Sequence, residues 1–460
     1  MTQSTDGHNM SRSLISLLVF AFLCSFAGAA RAEPHAPTTS PGVQIGITAH
    51  DMQHYAAIGR QVAKNPGANT VHFCWTTWDH IPASADDADR SVHYNSYDIP
   101  TGSLNQGATG IGVSRGDWAR AGFCRMDTDS DNLAHMVFHQ REIDDYLYNT
   151  WHLHFPVEGG DLHSDTVMMK PGIWPEEIEM MWPDVAVEQN HGAKDASTDI
   201  WHVIALGFVD VGGGYVVTNN HLWYWRYDAG AATPVWEGPV IIDSTRNLSY
   251  TLDADDNSDR VCLVYTSNFS TDGMNSLNNV AYRETQTSGL GWIHGVELGE
   301  VNKHFATCYS DPAGPQVWIE TSVLYDHTGE LHILYTEQRA SGSEHIALKH
   351  WRKSRGTVRP VVFAWYDTGG DETLYDRATW GRVLNIGFIS LSVGDGSTLC
   401  DGGAEDNTDY LYAVYGKLCG ETLEEHADTS ALGLCNAELY LTVSRDHGDF
   451  WSNPINLTNT

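Results

Sequence analysis

Residues 326–353 of this chain read DHTGELHILYTEQRASGSEHIALKHWRK and contain the pattern that decides the fold. The turn-forming stretch DHTG precedes an apolar run at 330–337, and a polar loop separates that run from a second one at 346–353. Turn residues followed by a run of β-branched and aromatic residues are typical of a hairpin that enters a buried strand. The stretch therefore predicts two paired β-strands.

The same pair of runs recurs along the chain, and the first runs start at 71, 133, 200, 260, 330 and 410. The pairs are 71–79 with 90–98, 133–140 with 146–155, 200–208 with 222–228, 260–267 with 278–284, 330–337 with 346–353, and 410–417 with 437–444. With two more strands in each period, every unit would be a four-stranded antiparallel sheet. One such sheet cannot bury both of its faces, whereas sheets stacked in a ring can.

We therefore expect an all-β fold, a β-propeller of four-stranded antiparallel blades. Six pairs predict six blades, and a seventh would have to lie in 157–195 or 285–320. A propeller commonly closes its ring by pairing one terminus with the other. The run at 43–51, VQIGITAHD, is the expected N-terminal strand that completes the last blade.

The N-terminal residues have the features of an export signal. Arg12 precedes an apolar run at 14–26, and the residues at 30–32, ARA, form a small-x-small cleavage site. No later stretch is apolar for long enough to span a membrane. We expect a secreted or periplasmic protein in three segments: a signal peptide at 1–32, a linker at 33–42 and the propeller at 43–460.

The charge balance limits the possible partners. The chain has 59 Asp and Glu residues against 26 Lys and Arg, a formal net charge of −33. Such a field repels phosphate backbones and anionic lipid, so nucleic acid and membrane surfaces are excluded as expected partners. Aromatic residues make up 11% of the chain, which indicates a folded protein rather than a disordered one.

Seven cysteines follow the predicted cleavage site, and an odd number leaves at least one thiol without an intrachain disulfide. They are Cys74, Cys124, Cys262, Cys308, Cys400, Cys419 and Cys435. Cys74 and Cys262 lie inside strand-like runs and are expected as buried thiols. Cys419 and Cys435 are close enough in sequence to close one loop.

The last repeat ends in the octapeptide SRDHGDFW at 444–451. Its fixed positions are Ser444, Asp446, Gly448 and Trp451. In such a turn, the aspartate bonds backbone amides, the glycine takes a positive φ and the tryptophan folds back between strands. This stretch resembles the Asp-box, S-x-D-x-G-x-x-W, of the sialidase-type (BNR-repeat) propellers. In that family the Asp-box is a structural turn on the rim, away from the central pocket.

The resemblance implies a possible sialidase site, in which three arginines hold the substrate carboxylate beside a Tyr/Glu couple and an acid/base Asp. The family's F/Y-R-I-P motif is absent, and Arg60 is the nearest positional candidate for its arginine. Other arginines at strand ends are clamp candidates or solvated rim residues: Arg141, Arg226, Arg283 and Arg339. We expect a module that binds an extracellular glycan or protein. The alternative is an exo-acting glycoside hydrolase of the exo-α-sialidase type.

Two kinds of metal site are suggested by spacing. The D-x-D-x-D run of Asp127, Asp129 and Asp131 resembles the start of a calcium loop, although Phe138 stands where the bidentate Glu would be. The alternative is a simple hairpin turn. His152 and His154 form an i, i+2 pair, which is more often satisfied within a core than bound to zinc. No cofactor is required by this reading, and Ca²⁺ is the candidate ion.

Most of the tryptophans are expected to fill the wedges between blades. Trp174 and Trp182 flank proline-containing stretches and are the sequence's candidates for an exposed sugar-binding surface.

Overall fold

A computed structural model describes sixteen stretches of the chain. They are residues 42–48, 59–78, 90–114, 120–141, 148–155, 164–167, 178–189, 195–209, 220–245, 249–268, 278–311, 314–339, 345–365, 386–394, 407–418 and 437–458. The predicted signal peptide, and the predicted linker apart from its last residue, lie outside this part of the chain. None of the helices in the described part has the length and apolar character needed to span a bilayer.

The described strands form six sheets, which are the blades of a β-propeller. Blade 1 consists of β1 (Val62–Ala63), β2 (Thr70–Trp78), β3 (Arg90–Asp98), β4 (Ser103–Leu104) and β5 (Ile111–Gly112). Blade 2 consists of β6 (Ala121–Thr128), β7 (Ala134–Arg141), β8 (Tyr148–Phe155) and β9 (Ser164–Val167). Blade 3 consists of β10 (Ile178–Glu188), β11 (Ile200–Val209), β12 (Asn220–Asp228) and β13 (Trp236–Thr245).

Blade 4 consists of β14 (Tyr250–Ala254), β15 (Val261–Asn268), β16 (Asn278–Thr285) and β17 (Lys303–Phe305). Blade 5 consists of β18 (Pro315–Tyr325), β19 (Leu331–Arg339), β20 (His345–Arg352) and β21 (Thr357–Trp365). Blade 6 consists of β22 (Ile386–Val393), β23 (Leu411–Leu418), β24 (Ala437–Ser444) and β25 (Ile455–Asn456). The helical elements are one α-helical turn, α1 (Leu290–Ile293), and the 3₁₀ turns Ala196–Thr198 and Glu300–Asn302.

Each blade is an antiparallel meander in which neighbouring strands are consecutive in the chain, and β5 adds a further pairing to β3. The six predicted pairs are the second and third strands of the blades, so the blade count and the antiparallel pairing are confirmed. The segments 157–195 and 285–320 hold the outer strand of one blade and the inner strand of the next. The described residues therefore contain no seventh blade.

The N-terminal run does not complete the last blade, as the sequence predicted it would. In the described residues 42–48, the Ile45 carbonyl accepts a hydrogen bond from Asn95 Nδ2 at 2.7 Å, and Thr48 Oγ1 donates to the Thr76 carbonyl at 3.0 Å. These contacts hold the segment against blade 1. Blade 6 instead obtains its fourth strand, β25, from the C-terminal side of the chain.

Successive blades bury apolar side chains between their faces, and strand β19 shows why the runs are so hydrophobic. Leu331, Ile333 and Tyr335 pack in the cluster shared with blade 4, whereas Leu334 packs in the cluster shared with blade 6. Alternate residues of a strand face opposite sides of its sheet. A blade between two neighbours therefore needs apolar residues on both faces.

Buried histidines join the second and third strands of several blades. In blade 2, His135 Nε2 lies 3.0 Å from Asp129 Oδ2, and His135 Nδ1 lies 3.2 Å from His152 Nε2. Blade 5 repeats this arrangement with Asp326, His332 and His350. Burial lowers the pKa of His135 to about 3, so its ring is neutral in the fold. These histidines are core residues, and both ring nitrogens of His135 and of His332 have side-chain partners.

Four cysteines lie in the described part of the chain, and all four are free thiols. Cys74, Cys124 and Cys262 are buried, as expected for two of them, and Cys308 is exposed. The other three cysteines of the predicted mature chain lie outside the described residues.

Candidate ligand-binding site

A cavity of about 520 Å³ lies at the centre of the ring, where the first strands of all six blades end. One residue from each blade illustrates the lining: Lys64, Asp127, Val187, Asp253, Leu324 and Val393. The first strand of each blade lies at the hub, so the carboxyl-terminal ends of these strands converge. The cavity is therefore built by the whole ring, and its volume is in the range of small-molecule sites.

Arg60, the sequence's positional candidate, lies in this cavity. Its Nη1 donates to Asp127 Oδ1 at 2.8 Å and its Nη2 donates to Asp253 Oδ1 at 2.9 Å. The Arg60 side chain is 37% exposed, and the two carboxylates, Asp127 foremost, hold its pKa above the usual value. The guanidinium is already paired with two carboxylates from two blades. It is thus part of the cavity wall rather than a free clamp for a substrate carboxylate.

The same two carboxylates also accept backbone amides from the following blade. Asp127 Oδ2 accepts from the Val187 N–H at 2.9 Å, and Asp253 Oδ2 accepts from the Tyr325 N–H at 2.7 Å. Asp184 repeats this contact with the Leu252 N–H at 2.7 Å. These inner-strand carboxylates hold neighbouring blades together at the hub. The sequence pattern predicted Asp127 only as a calcium-loop candidate and assigned no role to Asp184 or Asp253, although an acidic residue within an apolar strand is a usable signal.

Asp256 is the exposed residue among the aspartates that line the cavity. It follows β14 in an exposed turn, next to the exposed Asn257. Desolvation by the surrounding protein raises the pKa of Asp256, and the charges of Asp127 and Asp253 raise it further. Burial also raises the pKa of Asp253, to about 6. The cavity therefore contains two carboxyl groups with raised pKa values, those of Asp253 and Asp256, together with the cation of Arg60.

The remaining polar lining supplies amides and rings. Gln189 Nε2 donates to Asn65 Oδ1 at 2.7 Å, and Asn65 Nδ2 donates to the Asp129 carbonyl at 2.5 Å, so both amides are held in place. The side chains of His327 and Tyr412 complete the wall towards blade 6. Paired donors and acceptors of this kind suit a ligand with several hydroxyl groups.

No arginine triad forms around this cavity in the part of the chain that the structure describes. Arg226 is buried with Asp228 and Glu237, and Arg283 is buried with Asp243. Arg141 ends strand β7 and does not line the cavity, and the side chain of Arg339 lies outside the described positions.

The three aspartates of the calcium-like run do not converge. Asp127 faces the cavity, whereas Asp129 Oδ1 accepts from the Leu133 N–H at 2.8 Å and the Asp131 N–H at 3.1 Å. Asp131 is exposed, and Asn132 takes a φ of 60°. The run therefore forms the turn between β6 and β7, and calcium binding there stays a prediction. Among the described residues, no group of three or more His, Cys, Asp or Glu side chains is arranged to hold a metal ion.

Trp182 is not an exposed platform. It lies in β10 at a bulge with a φ of 50°, and its ring packs edge-on against His139 with 6.0 Å between centroids. The backbone N–H of Trp182 donates to His139 Nδ1 at 3.0 Å, and the backbone carbonyl of Trp182 accepts from the Tyr250 hydroxyl. The second candidate, Trp174, lies outside the described residues.

The turn at 444–451 has the hydrogen bonds that its spacing predicts. Ser444 Oγ accepts from the Gly448 N–H at 2.8 Å, and Asp446 Oδ1 accepts from the Phe450 N–H at 2.9 Å. Gly448 has a φ of 83°, and Trp451 packs in the apolar cluster between blades 5 and 6.

This turn lies at the same end of the ring as the cavity. His447 Nδ1 is 3.1 Å from Oδ2 of Asp326, and Asp326 lines the cavity. In the sialidase-type family the corresponding turn lies away from the central pocket. The resemblance therefore implies a pocket at the end of the ring opposite this turn, whereas the cavity described here lies at the same end as the turn. At the opposite end of the ring, the second strand of each blade ends and the third begins. The residues between these strands lie outside the described part of the chain: 79–89, 142–147, 210–219, 269–277, 340–344 and 419–436.

No family model matches the chain, and the search of curated proteins finds no match. Among solved structures, a Hadza microbial sialidase, Hz136, is similar at 12% identity, with 81% of this chain and 67% of that one covered and a TM-score of 0.39. An ulvan lyase of polysaccharide lyase family PL25 covers 89% of this chain and 83% of its own at 9% identity, with a TM-score of 0.43. An α-L-arabinanase of Penicillium chrysogenum, complexed with arabinobiose, is similar at 8% identity, with 71% of this chain and 79% of the arabinanase covered and a TM-score of 0.40.

Proposed function

We propose that the protein binds a neutral extracellular glycan and seats one sugar unit in the central cavity. The observation that carries this proposal is the cavity wall itself, where Asp256, Asn257 and Arg60 present acceptors and donors beside one another. A sugar hydroxyl both donates and accepts, so a wall with carboxylate, amide and guanidinium groups can pair it fully. Rigid support from neighbouring blades limits the entropy lost when the ligand binds.

The charge of the cavity selects against an anionic sugar. Four aspartates, Asp127, Asp253, Asp256 and Asp326, line it together with only two residues, Arg60 and Lys64, that carry a positive charge at neutral pH. Arg60 is already paired with two of these carboxylates. The carboxylate of a sialic acid would therefore meet like charges without a free guanidinium, which costs binding energy. The proposal is accordingly for a neutral sugar at this cavity.

The place of action is also part of the proposal. The signal-like N-terminus supports export to the cell exterior or the periplasm, where glycans are abundant and acidic proteins stay soluble. The turn at 444–451 supports a place among the sialidase-type propellers, and it concerns the fold rather than the chemistry. A protein partner at the same face is the alternative within the binding proposal.

A glycan array followed by calorimetry tests this function. The purified mature protein is applied to neutral and sialylated glycans, and the best ligand is titrated against the wild type, Asp256→Asn and Asp131→Asn. At pH 8, where the Asp256 carboxyl group is mostly ionised because its pKa is about 7, we expect binding to neutral glycans that Asp256→Asn weakens about tenfold, because one charge-assisted hydrogen bond is lost. The exposed Asp131→Asn control should bind like the wild type. Binding that is confined to sialylated glycans, or that Asp256→Asn leaves unchanged, would overturn the proposal.

Hydrolysis is a second candidate, favoured by the raised pKa values of Asp253 and Asp256. Glycosidases use one carboxyl group as an acid and a second as a base or nucleophile, roughly 5 to 10 Å apart. In this cavity Asp256 is the candidate acid, and the carboxylate of Asp127 is the candidate partner. Turnover of a fluorogenic glycoside panel, lost in Asp256→Asn, would support hydrolysis. Binding without turnover on any member of the panel would reject it.

A further inference from the structure

A second cavity, of about 500 Å³, lies on blade 6 beside the turn at 444–451. Its lining includes Tyr410, Tyr412, Arg445, Phe450, Trp451 and Ile455. Tyr412 also lines the central cavity. The two cavities are therefore neighbours that share one lining residue, and the second extends to β25 at the outer edge of blade 6. We call the second cavity the blade 6 groove.

The aromatic lining of the groove includes an exposed ring on a fixed backbone. The Phe450 side chain is 78% exposed, while its N–H is bound to Asp446 Oδ1 within the hydrogen-bonded turn. Trp451, the next residue, is anchored against His350 with 5.4 Å between ring centroids. An exposed ring whose backbone is fixed loses little entropy when a flat ligand face stacks on it.

Polar groups accompany these rings. The Arg445 guanidinium lies over the Tyr410 ring at 5.3 Å, and the side chains of Asp446 and Ser452 also line the groove. A sugar ring has an apolar face of C–H groups and an edge of hydroxyls. Aromatic rings beside hydrogen-bonding groups match both parts of such a ligand.

We propose that the blade 6 groove binds further sugar units of the glycan whose end occupies the central cavity. This inference rests on the proposed function and deepens it, because it makes the ligand an oligosaccharide rather than a single sugar. The shared lining residue Tyr412 favours this occupant, since a linear ligand that leaves the central cavity on this side lies next to the groove. The net charge of −33 speaks against a nucleic acid in the same position.

The test compares ligand length with mutation. Cello-, xylo-, manno- and galacto-oligosaccharides of one to six units are titrated by calorimetry into the wild type, Phe450→Ala and Phe363→Ala. Phe363 is the matched control, because its side chain is 66% exposed on blade 5, outside both cavities. We expect wild-type affinity to rise with length. Phe450→Ala should weaken the longer ligands about threefold to tenfold, the value of one aromatic contact, and leave the single sugars unchanged.

The outcomes separate this inference from the proposed function. If single sugars bind and Asp256→Asn weakens them, but Phe450→Ala changes no affinity, the cavity stands and the groove is overturned. A Phe450→Ala variant that keeps wild-type affinity but melts at a lower temperature would show that another part of the chain covers the groove. If no glycan binds the wild type, the proposed function fails, and the inference fails with it.

Discussion

Replacing Arg60 with methionine tests the electrostatics of the cavity most sharply. The substitution keeps a side chain of similar length but removes the cation between Asp127 and Asp253, whose side chains are only 14% and 9% exposed. Leaving a fully buried charge without its partner costs about 3 to 5 kcal/mol. Arg60 is 37% exposed, so solvent screens part of the interaction, and we expect a loss of about 2 kcal/mol of unfolding free energy.

The pH dependence of this loss gives the decisive readout. The pKa of Asp253 is about 6 even with Arg60 present, and Arg60 lowers it, so the substitution should raise it further. A carboxyl group whose pKa is raised in the fold contributes stability while it is protonated, and that contribution is lost as pH rises through the folded pKa. The variant should therefore approach the wild type near pH 5 and differ most from it near pH 8.

Urea unfolding of the wild type, Arg60→Met and Arg359→Met at pH 5 and pH 8 measures these differences. Arg359 is the matched control, because it is exposed on β21 of blade 5 and does not line the cavity. Comparison at equal pH cancels the titration of the buried histidines, which all three proteins share. A loss in Arg60→Met that is equal at both pH values, or no larger than in the control, would refute the electrostatic account.

Three further outcomes follow from the structure. In urea unfolding, Gly448→Ala should cost about 2 to 4 kcal/mol, since its φ is 83° and an added Cβ would lie 2.1 Å from the His350 ring. The control Gly356→Ala has a φ of 63° and open space around the added Cβ, so it should cost only about 1 kcal/mol. Equal losses of unfolding free energy in the two variants would contradict this. The pKa of His135 is lowered to about 3, so its contribution to the unfolding free energy, complete above about pH 6.5, should fall by roughly 1.4 kcal/mol per pH unit on acidification. A His135→Phe variant whose unfolding free energy falls with pH as steeply as that of the wild type would count against this. Among the four described cysteines, only Cys308 should be alkylated in the native protein, and mass spectrometry that finds the buried three modified equally fast would contradict their burial.

The strands could be predicted from sequence because their signal is local. Residues 330–337 alternate between two apolar faces behind a turn, and the structure places β19 at Leu331–Arg339. The second and third strands of every blade carry this signal, which is why the blade count was predictable. Those first and last strands that are short, such as β1 and β25 with two residues each, carry almost none of this signal.

The candidate site was less predictable because its contacts are distant in sequence. Arg60 reaches Asp127 and Asp253, which are 67 and 193 residues away. Sequence spacing grouped Asp127 with Asp129. In the structure, Asp127 lies at the hub end of β6, whereas Asp129 belongs to the turn that follows β6. Local spacing cannot distinguish a carboxylate that faces the hub from one that caps a turn, so only the fold separates them.

The central claim is that a neutral glycan lies in the central cavity and continues along the blade 6 groove. A crystal structure of the protein with its best-binding oligosaccharide tests this most directly. The expected result is a sugar unit within hydrogen-bond distance of Asp256 and Asn257, with a later unit stacked on Phe450. Clear density for the sugar at the opposite end of the ring, with both cavities empty, would contradict the account.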